Sequence, residues 1–223
     1  MNMPAFRNHG LTYIVILIVC GSLDYVTAST LHFIILANLK AISRVVYFED
    51  LIFVIILFAL ITCVLIFLFA SQVAVYRSIL VTTLLVTFGL VLNIGGLLIS
   101  LVNRLVNPTF LLISAVIVYA LNVLVFTVWY WILDYASQHA RDSGMAYVPV
   151  LIFPHNANEI RGYENWKPGF IDYFYLSFLI SSSIGPADTV VISKRAKFMI
   201  ICQVTISLIV LIVLASRAIS IIQ

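Results

Sequence analysis

The chain has 223 residues, of which 63% are hydrophobic and only 9% charged, and its net charge is +3. Soluble domains average about 45–50% apolar and about 25% charged residues, so this composition belongs in lipid. The few Lys and Arg residues sit beside apolar runs rather than in a basic patch, which excludes nucleic acid as a partner. Cys20, Cys63 and Cys202 lie inside apolar runs without paired spacing, which argues for buried thiols and against a disulfide framework or a zinc site.

Residues 1–10 are short and polar, with Arg7 and His9, and the first apolar run begins at Leu11. The run resembles a secretory signal in outline, but the later spans make an uncleaved first helix over residues 11–28 the simpler reading. Asp24, at the end of that run, reads as a carboxylate at headgroup level, because a charge at mid-bilayer is expensive. Between Ser29 and Asp50 the apolar residues are interrupted by His32, Lys40, Arg44 and Glu49, so this piece either lies along the interface or extends the first helix.

Residues 51–76, 78–103 and 105–133 carry no charge, and each exceeds the roughly 20 residues a spanning helix needs. Arg77 and Arg104 are expected at the turns between them, and Asn107-Pro108 opens the fourth helix, over 108–133. Gly89, Asn93 and Gly96, continued by Ser100, fall at spacings of four, three and four, which predicts a helix-packing seam. Trp129, Tyr130 and Trp131 fit an aromatic belt at a membrane surface. Four helices thus fill residues 1–133.

Residues 134–169 form the one long polar loop, too short for a domain of its own. His139 and His155, sixteen residues apart, show no metal template. The apolar run from Tyr173 to Ala187 is too short to cross as a helix but long enough to enter halfway and return. Such a hairpin needs protein or water over its bent backbone. A last span starts near Phe198, with Arg217 able to snorkel beyond it. The expected fold is an all-α polytopic membrane protein of five transmembrane helices, with a re-entrant pore-helix-like hairpin before the last one, in residues 170–223.

Pro168-Gly169 breaks the chain, and Asp172 in the following first turn complements the positive end of a short helix. The negative end of that helix would point into the membrane and favour cations, with Ser177, Ser181, Ser182 and Ser183 adding hydroxyls and Gly185-Pro186 turning the chain outward. On the last helix, Gln203 and Ser207 are four apart, a stripe suited either to lining a path or to bonding helices together.

The stretch from Asp172 through Ser182-Ser183-Ile184-Gly185-Pro186-Ala187-Asp188 resembles the pore helix and filter of two-helix potassium-channel modules. Ser182 and Ser183 stand at the two threonines of that filter, Ile184 at its valine, Gly185 at its first glycine and Asp188 at its aspartate. Pro186 and Ala187 depart from its tyrosine and second glycine. Asn122-Val-Leu-Val-Phe-Thr-Val-Trp-Tyr-Trp-Ile-Leu-Asp134, Trp166-Lys-Pro-Gly, Pro186-Ala-Asp188, Ala196-Lys197 and Arg217-Ala-Ile are similar to an uncharacterised group of bacterial five-helix integral membrane proteins. That resemblance implies a bacterial cell membrane and no established activity.

Eight basic residues (Arg7, Arg77, Arg141, Arg161, Lys167, Lys194, Arg195 and Lys197) share the side of the 134–169 loop, against Lys40, Arg44, Arg104 and Arg217 opposite. The positive-inside rule therefore puts the hairpin on the cytoplasmic side, whereas the potassium-channel likeness would put it outside. The leading expectation is a pore-loop cation channel or channel-like permeation protein, with residues 181–188 as the constriction and a monovalent cation as the passenger. One hairpin per chain cannot enclose a path, so that reading needs a homo-oligomer, most simply a tetramer. The alternative is a non-conducting structural or accessory membrane protein. No H-E-x-x-H, G-x-S-x-G or phosphate loop is present, so no catalytic residue, cofactor or enzyme activity is expected.

Overall fold

Where long uncharged runs leave the backbone no water to bond, the helix is the economical answer, because it satisfies every N–H and C=O within one segment. The computed structural model describes residues 3–38, 43–103, 107–142, 144, 148–154, 166–182, 185–186 and 188–222. Among them are six helices: α1 (Met3–Asn38), α2 (Ser43–Phe69), α3 (Gln72–Asn103), α4 (Pro108–Asp142), α5 (Phe170–Ser181) and α6 (Lys194–Ile222). Two short strands, β1 (Leu151–Ile152) and β2 (Val190–Val191), pair antiparallel, Leu151 opposite Val191 and Ile152 opposite Val190. All the helices but α5 are long and apolar enough to cross a membrane, which makes this an all-α, multi-pass membrane protein.

Several element ends differ from the sequence expectation. The α2–α3 turn falls at Ala70-Ser71, so Arg77 lies within α3 rather than between helices. The piece after Ser29 extends α1 to Asn38. Helix α4 continues to Asp142, more than two turns past residue 133. Its start is set as expected for Asn-Pro: Thr109 N–H donates to Asn107 Oδ1 (3.0 Å), and Pro108 takes the first helical position, where its missing N–H costs nothing.

Helix α4 is the hub of the bundle. It packs against α1, α3, α5 and α6, and 61% of its span is buried, against 22% for each of α2 and α6. Trp129, Tyr130 and Trp131 are consequently buried inside the bundle instead of forming a surface belt. Each of the three points about 100° further round the helix than the last. Trp129 Nε1–H donates to Thr87 Oγ1 of α3 (2.9 Å), the Tyr130 hydroxyl donates to Gln203 Oε1 of α6 (2.6 Å), and the Trp131 ring stacks on Tyr13 of α1 at 4.1 Å.

The α1–α3 seam contains the predicted small and polar face. Gly89 and Asn93 both meet Asp24 of α1, and Gly96 and Ser100 are buried on the same helix. Asp24 is therefore not at headgroup level: α1 runs fourteen residues beyond it, and its partners lie in the middle of α3. Arg217, expected to snorkel, is buried and donates from a guanidinium N–H to the Leu101 carbonyl oxygen in the last turn of α3 (3.0 Å), where a cation complements the negative helix end.

Candidate functional site

Helix α5 starts cleanly. Pro168 cannot continue a helix backwards, and the Gly169 N–H donates to Asp172 Oδ2 (2.7 Å), so the first-turn carboxylate satisfies a group that would otherwise be orphaned. Tyr173, Ser177 and Ser181 recur every four residues and form one fully buried stripe, while Ile171, Tyr175 and Phe178 on the other side are exposed. At its far end the Ser182 hydroxyl donates to the carbonyl oxygens of Phe178 (3.1 Å) and Leu179 (3.0 Å), and the Ser182 N–H also goes to Phe178 O (3.0 Å). The helix thus stops with two of its last four carbonyls answered by a serine hydroxyl.

The buried stripe is held at two levels. At the foot, the Tyr173 hydroxyl donates to Asp134 Oδ2 of α4 (2.9 Å), which also accepts from Gln138 Nε2 (2.7 Å), while Ser137 donates to Asp134 Oδ1 (3.0 Å). The Phe153 ring, next to β1, stands edge-on to Tyr173 at 5.6 Å. At the tip, Gln203 Nε2 of α6 donates to Ser177 Oγ (2.8 Å), Ser177 O (3.0 Å) and Ser181 Oγ (2.7 Å). Ser177 in turn donates to the Val123 carbonyl oxygen of α4 (2.7 Å). Asn122 Nδ2 reaches Ser207 Oγ (2.8 Å) and, at 3.4 Å, Ser181 Oγ. Its own carbonyl oxygen, Asn122 Oδ1, is buried with no hydrogen-bond partner among the described residues.

No family model, curated protein or solved structure matches this chain. Its site must be read from its own geometry.

The tip of α5 brings together four of the residues singled out in the sequence, Ser177, Ser181, Gln203 and Ser207, and all four are fully buried. Gln203 and Ser207 do form one stripe, and that stripe faces α5 and α4 of the same chain. Of the return segment, Ser182, Gly185 and Pro186 are half-buried and Asp188 is exposed. Ser183, Ile184 and Ala187 lie outside the described residues. Gly185 has φ +95°, a conformation that side chains with a Cβ resist, and the Thr189 N–H closes the next turn on Pro186 O (3.0 Å). Beyond it, β2 pairs with β1, and the Ser193 hydroxyl accepts the Arg195 N–H (3.2 Å) at the start of α6.

Asn122, Asp134 and Tyr173 complete the site and were not singled out individually from the sequence, and Tyr130, expected in a surface belt, joins them through Gln203. A usable signal was present: Asn122 and Tyr130 are eight apart, hence on one face of α4, and Asp134 follows at the next step of four.

Proposed function

We propose that this chain is a pore-loop-type cation permeation protein of a bacterial cell membrane, working as a homo-oligomer, in which α5 is a re-entrant pore helix and the segment 181–188 is the constriction. The observation that carries this reading is where α5 ends. Its twelve residues measure about 18 Å at 1.5 Å per residue, and its last turn lies beside Asn122 and Ser207, each near the middle of its own span. A helix that stops there aims its negative end, roughly half a charge, at the middle of the membrane, where it favours a cation. Asn122, Gln203 and Ser207 then brace the pore helix from behind, and exposed Asp188 stands at the mouth, which the basic-residue bias puts on the cytoplasmic side.

A second reading, a non-conducting structural or accessory protein, is favoured by a different observation: the polar stripe of α5 is buried and bonded within a single chain, so that face of the helix is covered without any partner. One experiment separates the two. The purified chain is sized in nanodiscs and, reconstituted in liposomes, assayed for potassium and sodium flux. A symmetric oligomer with cation flux that drops in Asp188→Asn supports the pore; a monomer without flux gives the accessory reading.

A further inference from the structure

Helix α1 carries a carboxylate into the middle of the bundle, against α3. Asp24 is 4% exposed, and Asn93 Nδ2 of α3 donates to its Oδ1 at 2.7 Å. Both carboxylate oxygens lie 2.7 Å from where a Cβ on Gly89 would be, so the α3 backbone leaves room for this group and for nothing larger beside it. Gly89 is seventeen residues from the start of α3 and fourteen from its end, which puts the carboxylate roughly 20–25 Å from either end of that helix. An ionised carboxylate at that depth is costly unless a partner neutralises it, and Asn93 is a neutral partner.

Among the described residues no cationic side chain faces Asp24. Helix α3 has no charged residue between Arg77 and Arg104, α2 has none between Asp50 and its end, and α4 has none before Asp134. The titratable group nearest it is Cys20, one turn back on α1; Cys63 of α2 lies about three turns away along α3, beside Ser78 (3.4 Å) rather than Gly89. Tyr119 of α4 is brought to about the same level by the antiparallel Tyr13–Trp131 stack. A hard metal cation would require several oxygen ligands. Here the neighbouring amide presents N–H, and no group of three His, Cys, Asp or Glu among the described residues could hold a metal ion.

We propose that Asp24 is a proton-binding site at mid-membrane, with Asn93 as its hydrogen-bond partner and Gly89 as the gap that admits it. The bound proton makes the group neutral and lets α1 and α3 close on each other. Its release leaves a charge answered by one amide, and the seam must then open to water. The site is separate from α5 and stands whether or not the chain conducts ions.

The test is infrared spectroscopy of the full chain in nanodiscs across a pH series, in H2O and D2O. A protonated-carboxyl C=O band is expected in wild type at neutral pH, shifted in D2O, replaced by carboxylate absorption as pH rises, and lost in Asp24→Asn. In Asn93→Leu the band moves to higher frequency, because its hydrogen bond is gone. Superimposable wild-type and Asp24→Asn spectra throughout the series would overturn the proposal. So would a band that responds to added sodium or potassium at fixed pH and not to pH itself, since an alkali cation would then hold the site. If Asp24→Asn does not yield folded protein, an unmoved band in Asn93→Leu overturns it.

Discussion

Gln203 has the most demanding position of any side chain in the α5 network. Its amide N–H groups serve both serines of α5, and its carbonyl oxygen takes the Tyr130 hydroxyl. Replacing it with Leu strands three buried groups at once, at a cost of about 1–3 kcal/mol for each one left without a partner. Asn122→Leu is expected to cost less, because it strands two contacts, one of them long at 3.4 Å, and also removes an oxygen that already has no partner. Thermal unfolding in detergent checks the order: an Asn122 variant less stable than the Gln203 variant would mean the network is not organised around the glutamine. Gly89→Ala is expected to destabilise by about 1–3 kcal/mol, through contact with the Asp24 oxygens. The loss should shrink when Asp24 is also replaced with Ala. Additive losses in that double mutant would show that the clash lies elsewhere.

The helices as units were easier to read from the sequence than their partners. Residues 51–76 and 78–103 announce spanning helices because no charge interrupts them, yet the turn between them lies at Ala70-Ser71, where neither Gly nor Pro marks it, and charged Arg77 drew the expected boundary toward itself. The seam of Gly89 and Asn93 was legible by its spacing. The site around α5 was legible only in part, for a reason particular to lipid: a helix face toward acyl chains is as apolar as one toward another helix, so hydrophobicity does not say which side of α4 meets α5. Ser181, Gln203 and Ser207 could be found as polar interruptions, while the directions they face could not. At this scale α5 is expected to exchange its amide hydrogens as slowly as α4, since its foot and tip are both anchored. Exchange as fast as at exposed Asp188 would show that the anchors do not hold. Gly185→Val should loosen the return turn by about 1–2 kcal/mol, the price of a branched side chain at φ +95°, and faster protease cleavage near residue 185 would report it.

Taken whole, the molecule is organised unequally around α4. Phe126 on that helix is 2% exposed, and Phe126→Ala is expected to cost about 3–5 kcal/mol. Phe58 on α2 is 71% exposed, and Phe58→Ala should stay within about 0.5 kcal/mol. Equal losses at the two sites, measured by unfolding in nanodiscs, would imply that α2's outer face is covered by a second chain, which bears directly on the oligomer the permeation reading requires.

The anchoring of α5 also imposes an order on biosynthesis. Its foot can be secured as soon as it emerges, because Asp134 and Gln138 precede it in the chain. Its tip must wait, because Gln203 lies on α6, which is made after α5. Until α6 leaves the ribosome and enters the bilayer, the hydroxyls of Ser177 and Ser181 have only α4 to turn to. The short helix is therefore delivered to the membrane before the partner that holds it there, and a nascent chain halted before Lys194 should keep α5 shallow.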